Sequence, residues 1–370
     1  MINALIFVRN SREQQLAKAK IFGKTLLEYT LAEINKLDVD RIYLIGGLEA
    51  DADNILRRRS VDEVIEELSD SDTKNLLLSP FYPFINKEDY ENLLNCKEEA
   101  ALLCKDGELL ECFVLPGRQL KNYQTLTYGE VEAVSANCQR INSLDELPAL
   151  SCYLRSTINQ RLLKNGVNLI DPDNTYIAPE VVVDKDVTIY PNVVIEGKSF
   201  IGRGCEITGG SHLCNVNIQD YSRIISSRLV DCNIGKRVSV GPNSHIHQNS
   251  TIFDKVKIGD NVEITNSRIG RNSNIAHMAY LSNTTLGESV IIGCGVSVVD
   301  YDGAHKHSTL IGDYAIIGSN SCLIAPLRVG DYGVVAAGSV IDKDVKDGDM
   351  AIARLYQTNK NGYGYKYIKK

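Results

Sequence analysis

The sequence predicts an α/β domain followed by an all-β, left-handed parallel β-helix of hexapeptide repeats. Three observations carry this prediction. From residue 177 onward aliphatic residues recur every six positions, beginning Ile177, Val183, Ile189, Ile195, Ile201 and Ile207. A second block runs Ile234, Val240, Ile246, Ile252, Ile258 and Ile264, and a third runs Ile311, Ile317, Leu323, Val329, Val335 and Ile341. Before residue 145 no such period exists; short apolar runs alternate there with segments of helical spacing.

A period of six is neither the 3.6 of a helix nor the 2 of a half-buried strand. It is the signature of a parallel β-helix, in which each hexapeptide supplies one short strand and a turn and three make a triangular coil. The left hand comes from this repeat class, since the period does not set it. The phase is disturbed between about 210 and 233, shortened turns precede Ile269 and Leu286, and an excursion spans Asp300–Leu310.

In the first part, Ala4–Val8, Arg41–Gly47 and Leu76–Leu78 read as strands, and Leu26–Leu37 reads as a helix. Strands alternating with helices imply a parallel sheet. Ser143–Lys164 is helix-prone, with Gly166 as its C-cap. The expected boundaries are 1–145 for the α/β domain, 146–170 for a helical linker, 171–345 for the β-helix and 346–370 for a C-terminal tail.

The chain has 370 residues and a net charge of −7. That charge disfavours a nucleic-acid partner, which needs a basic face to displace counterions. No stretch has the ~18–20 apolar residues of a membrane span, and the first residues read as a strand and not as a signal peptide. The ten cysteines are scattered without a Cys-x-x-Cys pair. They are read as reduced, mostly buried thiols of a cytoplasmic protein. All six histidines lie beyond residue 210.

Four stretches of the second half are more specific than the repeat: INQRLLKNGVNLIDPDNTYI (158–177), NSNIAHMAYLSNTTLGESVIIGCG (272–295), YDGAHKHSTLIGD (301–313) and AIARLYQTNKNGY (351–363). With them, residues 142–361 resemble the acetyltransferase half of the bifunctional N-acetylglucosamine-1-phosphate uridylyltransferase/glucosamine-1-phosphate acetyltransferase family. The resemblance implies that His277 is a general base, a role that suits an imidazole because its ordinary pKa lies near 6.5. It implies that Glu263, Tyr280, Tyr301 and Lys306 hold the amino sugar and its phosphate. On the acetyl-CoA side it implies Cys294, Ser319, Ala337 and Arg354, with Lys360 a further partner for the cofactor's phosphates. It also implies a homotrimer, with the excursion at a subunit boundary, and no metal for acetyl transfer.

The chain departs from the family at four acceptor-side positions. His247 and Thr265 stand where the family has two phosphate-binding cations, and Ile291 and Asp300 stand where it has asparagines. His247, if protonated, replaces part of the lost charge, and Asp300 suits an ammonium better than a phosphate.

The first domain resembles the nucleotidyltransferase half of the same family through GKTLLEYTL (23–31) and RINSLDEL (140–147), with Asn142 near its metal-binding asparagine. Residues 8–15, VRNSREQQ, lack the glycine-rich phosphate loop. In LLLSPFYPF (76–84), Phe81 stands near the expected Mg²⁺-binding carboxylate. The reading is thus an acetyl-CoA-dependent acetyltransferase of a small amino-sugar acceptor with a degenerate nucleotidyltransferase domain. Three alternatives stay open: the full bifunctional enzyme making UDP-N-acetylglucosamine, an O-acyltransferase, and a non-catalytic scaffold paralogue.

Overall fold

The computed structural model describes residues 2–50, 54–69, 73–82, 85–105, 108–122, 132–136 and 140–366. Cys138, Pro83, Phe84 and the last four residues of the tail lie outside them. The chain divides into two compact units, Met1–Tyr153 and Leu154–Lys370. The division falls inside a helix that runs Leu147–Lys164.

The first unit is built on a seven-stranded sheet. Ile55–Arg58, Arg41–Ile45, Ile2–Phe7 and Lys74–Leu78 lie side by side and parallel. The expectation of a parallel sheet needs correction beyond that point. Glu108–Pro116 is antiparallel to Lys74–Leu78 and to Ala101–Lys105, so the sheet is mixed. Ala101–Lys105 and Glu108–Pro116 are too close in sequence for a crossover helix, and such neighbours pair antiparallel. The predicted helix starts at Leu26 as Thr25 and Glu28 close a capping box, and it ends at Ile34. Leu5, Tyr43, Leu77, Leu102 and Leu115 form the fully buried core on one side of the sheet.

The second unit is the left-handed parallel β-helix. Its ladders step through the aliphatic residues of the repeat: Ile177 pairs with Ile195, Ile246 with Ile264, and Ile317 with Val335. These side chains point inward and are 0–1% exposed. The disturbed phase between 210 and 233 does not interrupt the coils. Ile207 pairs with Ile224 and Ile224 with Val240, coils of seventeen and sixteen residues where eighteen is standard. Here His212–Ile218 and Arg228–Ile234 run as single strands across a corner, bent at Asn215 and Asp231 with φ of 52° and 48°. Asparagine and aspartate tolerate this left-handed region better than most residues.

Two devices satisfy the corners. Inward serines bridge adjacent coils: Ser244 donates to the Gly259 carbonyl at 2.8 Å and accepts from the Val262 amide at 3.1 Å. The other device explains the glycine that follows so many aliphatic positions. A Cβ at Gly312 would lie 2.6 Å from the Asp331 amide, and the Asp331 carboxylate in turn accepts from the Asp313 amide at 2.9 Å.

Nine cysteines in the described residues stand outside any disulfide. Three are buried, five are half-buried and Cys152 is exposed, so "mostly buried" was too strong. Burial pushes the Cys205 thiol up to about 11 and the Cys232 thiol up to about 12.

Candidate active site on the β-helix

His277 sits at a corner, between the strands Asn274–Ile275 and Tyr280–Ser282. Corner positions of successive coils stack in single file. The Met278 amide donates to the Asp260 carbonyl (3.0 Å), Gly295 to His277 (2.9 Å), Asn320 to Cys294 (2.8 Å) and Gly338 to Ser319 (2.8 Å). Asp260, His277, Cys294 and Ser319 therefore occupy equivalent places in consecutive coils. Ala337 continues the file, since its amide and Cα lie beneath Gly318. Coils stack ~4.8 Å apart, so the file descends about 10 Å from His277 to Ser319.

Asp260 is the neighbour that sequence reading missed. Its carboxylate pairs with His277 Nδ1, and its backbone amide donates to the same nitrogen at 3.2 Å. Both contacts fall on Nδ1, and the side chain is 55% exposed. The approach depends on Gly259, where a Cβ would lie 2.8 Å from His277 Nδ1 and push the ring off Asp260. The signal was present in the sequence as an acid seventeen residues before the histidine, one short coil away.

The predicted acceptor residues fall into two groups. The first lies on one outward wall. Glu263 is in register with His245 on one side and Tyr280 on the other, and Tyr280 with Ser297. His247 Nε2 lies 3.1 Å from Glu263 Oε1, and the His245 and His247 rings stack with centroids 4.1 Å apart. Burial, the neighbouring His247 and Arg228 hold His245 below its ordinary pKa against the pull of Glu263. Thr265 is buried and donates to Gln248 at 2.8 Å.

The second group is the excursion. Tyr301 and Lys306 face each other across an antiparallel bridge, and both are exposed. The loop closes on Asp302, another residue the sequence reading passed over. Asp302 accepts from the Ala304 and His305 amides and pairs with His307, each at 2.7 Å. These contacts, the His305 amide foremost, hold its carboxyl far below the usual range.

Asp300 anchors the loop. It is 7% exposed, accepts from Ser282 at 2.7 Å and from Asn283, and lies 3.5 Å from Lys306 Nζ. Burial alone would raise its pKa. The bonds from Ser282 and Asn283 and the Lys306 charge outweigh burial and hold it below the ordinary value. These three contacts all meet Oδ2, which ties the carboxylate to the preceding coil and to Lys306. Ile291 is 46% exposed on the wall that also carries Ile316, its register partner.

Of the residues expected on the cofactor side, Cys294 is half-buried, and Ser319 and Ala337 offer small side chains. Arg354 is exposed, with its Cδ 4.0 Å from where a Gly338 Cβ would be. Lys360 is exposed and lies over the Tyr363 ring at 5.3 Å.

In the first unit, the segments that carry the nucleotidyltransferase resemblance make the following contacts. Asn10 caps the helix Ser11–Ala17 through the Glu13 amide at 3.0 Å. Arg9 pairs with Glu111, which also pairs with Arg140 at 3.2 Å. Phe81 is 1% exposed and packs under the Arg140 guanidinium. The Asn142 backbone N–H donates to Glu146 at 3.0 Å.

No protein-family model matches the chain. Among solved structures, similar chains include LpxA, a UDP-N-acetylglucosamine acyltransferase from Bacteroides fragilis 9343. It is 22% identical with a TM-score of 0.35 over 48% of this chain and 68% of that one. Another is 4-diphosphocytidyl-2C-methyl-D-erythritolsynthase from Anaerococcus prevotii DSM 20548, 16% identical with a TM-score of 0.34 over 42% and 98%. Likeness at such scores carries no argument about this chain. The curated relatives are closer. Bifunctional protein GlmU of Clostridium novyi (strain NT) is 40% identical over 237 residues, 63% of this chain and 52% of that protein. Bifunctional protein GlmU of Clostridium beijerinckii (strain ATCC 51743 / NCIMB 8052) is 40% identical over 60% of this chain and 49% of that protein. The chain spans about half the length of these relatives. With Bifunctional protein GlmU of Clostridium perfringens (strain ATCC 13124) the match extends to 304 residues, 82% of this chain and 66% of that protein, at 37% identity. By these relationships the chain belongs to the family of the bifunctional GlmU proteins.

Proposed function

We propose that the second unit transfers the acetyl group of acetyl-CoA to the amine of a small amino-sugar acceptor, glucosamine 1-phosphate or a relative, with His277 as general base. The observation that carries this reading is the single file of Asp260, His277, Cys294, Ser319 and Ala337 along one edge. Small side chains below the imidazole leave a track along which a pantetheine arm can lie, and Arg354 and Lys360 lie beyond its end in sequence to meet the phosphates. Asp260 on Nδ1 leaves Nε2 to take a proton from the amine as nitrogen attacks the thioester carbonyl. The C–S bond then breaks and CoA leaves as the thiolate. Glu263, His247, Tyr280 and the Tyr301–Lys306 loop form the acceptor side. The protein acts as a homotrimer in the cytoplasm, a reading supported by family membership and by the free thiols.

The test is thiol release from acetyl-CoA in the presence of glucosamine 1-phosphate, unphosphorylated amino sugars and nucleotide-linked amino sugars. One of these acceptors drives release, and His277→Ala lowers it by about 10²–10⁴-fold with unchanged circular dichroism. Absence of acceptor-dependent release from every acceptor sinks the proposal in favour of a scaffold.

A further inference from the structure

We propose that His245, His247 and Glu263 bind a divalent transition-metal ion, zinc by their ligand chemistry. His245 and His247 alternate with the fully buried Ile246, so both imidazoles project from the outer wall of the same strand. Their rings lie nearly parallel, 11° apart. Glu263 is the register partner of His245 on the next coil and reaches His247 Nε2. One ligand atom from each residue lies within 4.8 Å of the others, and among the described residues no other group of His, Cys, Asp and Glu does so.

Around a tetrahedral zinc with bonds of ~2.0–2.2 Å, ligand atoms sit roughly 3.3–3.5 Å apart. The coils fix the backbones, so the proposal requires side-chain rotation to close the gap from the 4.8 Å within which the atoms now lie. Two imidazoles and a carboxylate suit zinc, copper or nickel and not magnesium or calcium. Three protein ligands leave the fourth position open to water or to an oxygen of a bound molecule. Arg228, the register partner of His245 on the preceding coil, faces the same wall, and the Glu263 carboxylate offsets its charge. The inference does not depend on acetyl transfer, and metal binding is measured without it.

The experiment strips the full-length protein with a chelator and titrates it with zinc chloride by calorimetry, with elemental analysis of the dialysed product. One saturable ion per chain is expected. His245→Ala and Glu263→Gln should each weaken binding at least about tenfold while keeping the wild-type circular dichroism, and zinc should raise the melting temperature of wild type but not of His245→Ala. His307→Ala, which removes the separate His307–Asp302 pair, should bind as wild type. The proposal is overturned if no saturable binding is seen, if the His245/Glu263 double variant binds as wild type, or if His307→Ala alone abolishes binding.

Discussion

In the proposed mechanism His277 and Asp260 divide one task. The imidazole exchanges the proton at Nε2, and the Asp260 contacts to Nδ1 hold the ring in place. Asp260→Asn keeps the size but loses the charge. It should lower kcat by less than the full 10²–10⁴-fold of base removal and leave KM for acetyl-CoA unchanged. An unchanged kcat would reduce Asp260 to a structural contact. Asp300 gives a second residue-scale prediction. Its folded pKa lies below the ordinary value, so its contribution is fully present above about pH 4 and is lost as pH falls through the folded pKa. Denaturation at a series of pH values should show Asp300→Asn less stable than wild type from pH 8 to 5, with the gap closing below about pH 4. The sequence named His277 through its flanking motif. It did not name Asp260, because the pairing depends on coil length, and a seventeen-residue coil places Asp260 beneath the histidine only after the turn has been built.

At the scale of elements, the hexapeptide repeat and the excursion behave differently. Each coil is held by its neighbours, so inward positions contribute nearly the same amount wherever they lie. Ile264 is 0% exposed between Ile246 and Leu281. Ile264→Ala should cost about 2–5 kcal/mol, measured by chemical denaturation, and should disturb the wall carrying Glu263 and Tyr280. The excursion adds length to one coil: Ile292 pairs with Ile317, twenty-five residues on, where Ile275 pairs with Ile292, seventeen on. Its position was legible as a break in the period. Its internal closure on Asp302 was not, because alternating Asp, His and Lys in a loop carries no periodicity. The His-x-His at 245–247 was likewise visible but was read for its second histidine alone. Only the register with Glu263 made it a three-ligand cluster.

At the scale of the whole molecule, we propose that the first unit has lost the nucleotidyl-transfer half of the family's activity. The segment after the first strand is a capped helix start, and Phe81 is buried under Arg140, near the position where the family resemblance places a metal carboxylate. We expect no uridylyl transfer from UTP to N-acetylglucosamine 1-phosphate with Mg²⁺, followed by pyrophosphate release; robust turnover would show that another constellation serves the purpose. Among the described residues no helix is long and apolar enough to cross a membrane.

The sequence by itself determined the order of the two folds, the inward residue of nearly every coil and the histidine at the proposed centre. These follow from a short-range period and from local motifs, both of which depend on near neighbours in the chain. The tertiary structure decided what period alone leaves open: that coils of sixteen to eighteen residues stay in step through residues 210–233, that Asp260 meets His277, that Asp300 is tied to Ser282 and Asn283 of the preceding coil, and that His245, His247 and Glu263 converge. Each of these joins residues about one coil apart, and the number of residues that a corner consumes is fixed by backbone sterics and hydrogen bonding in the stacked coils.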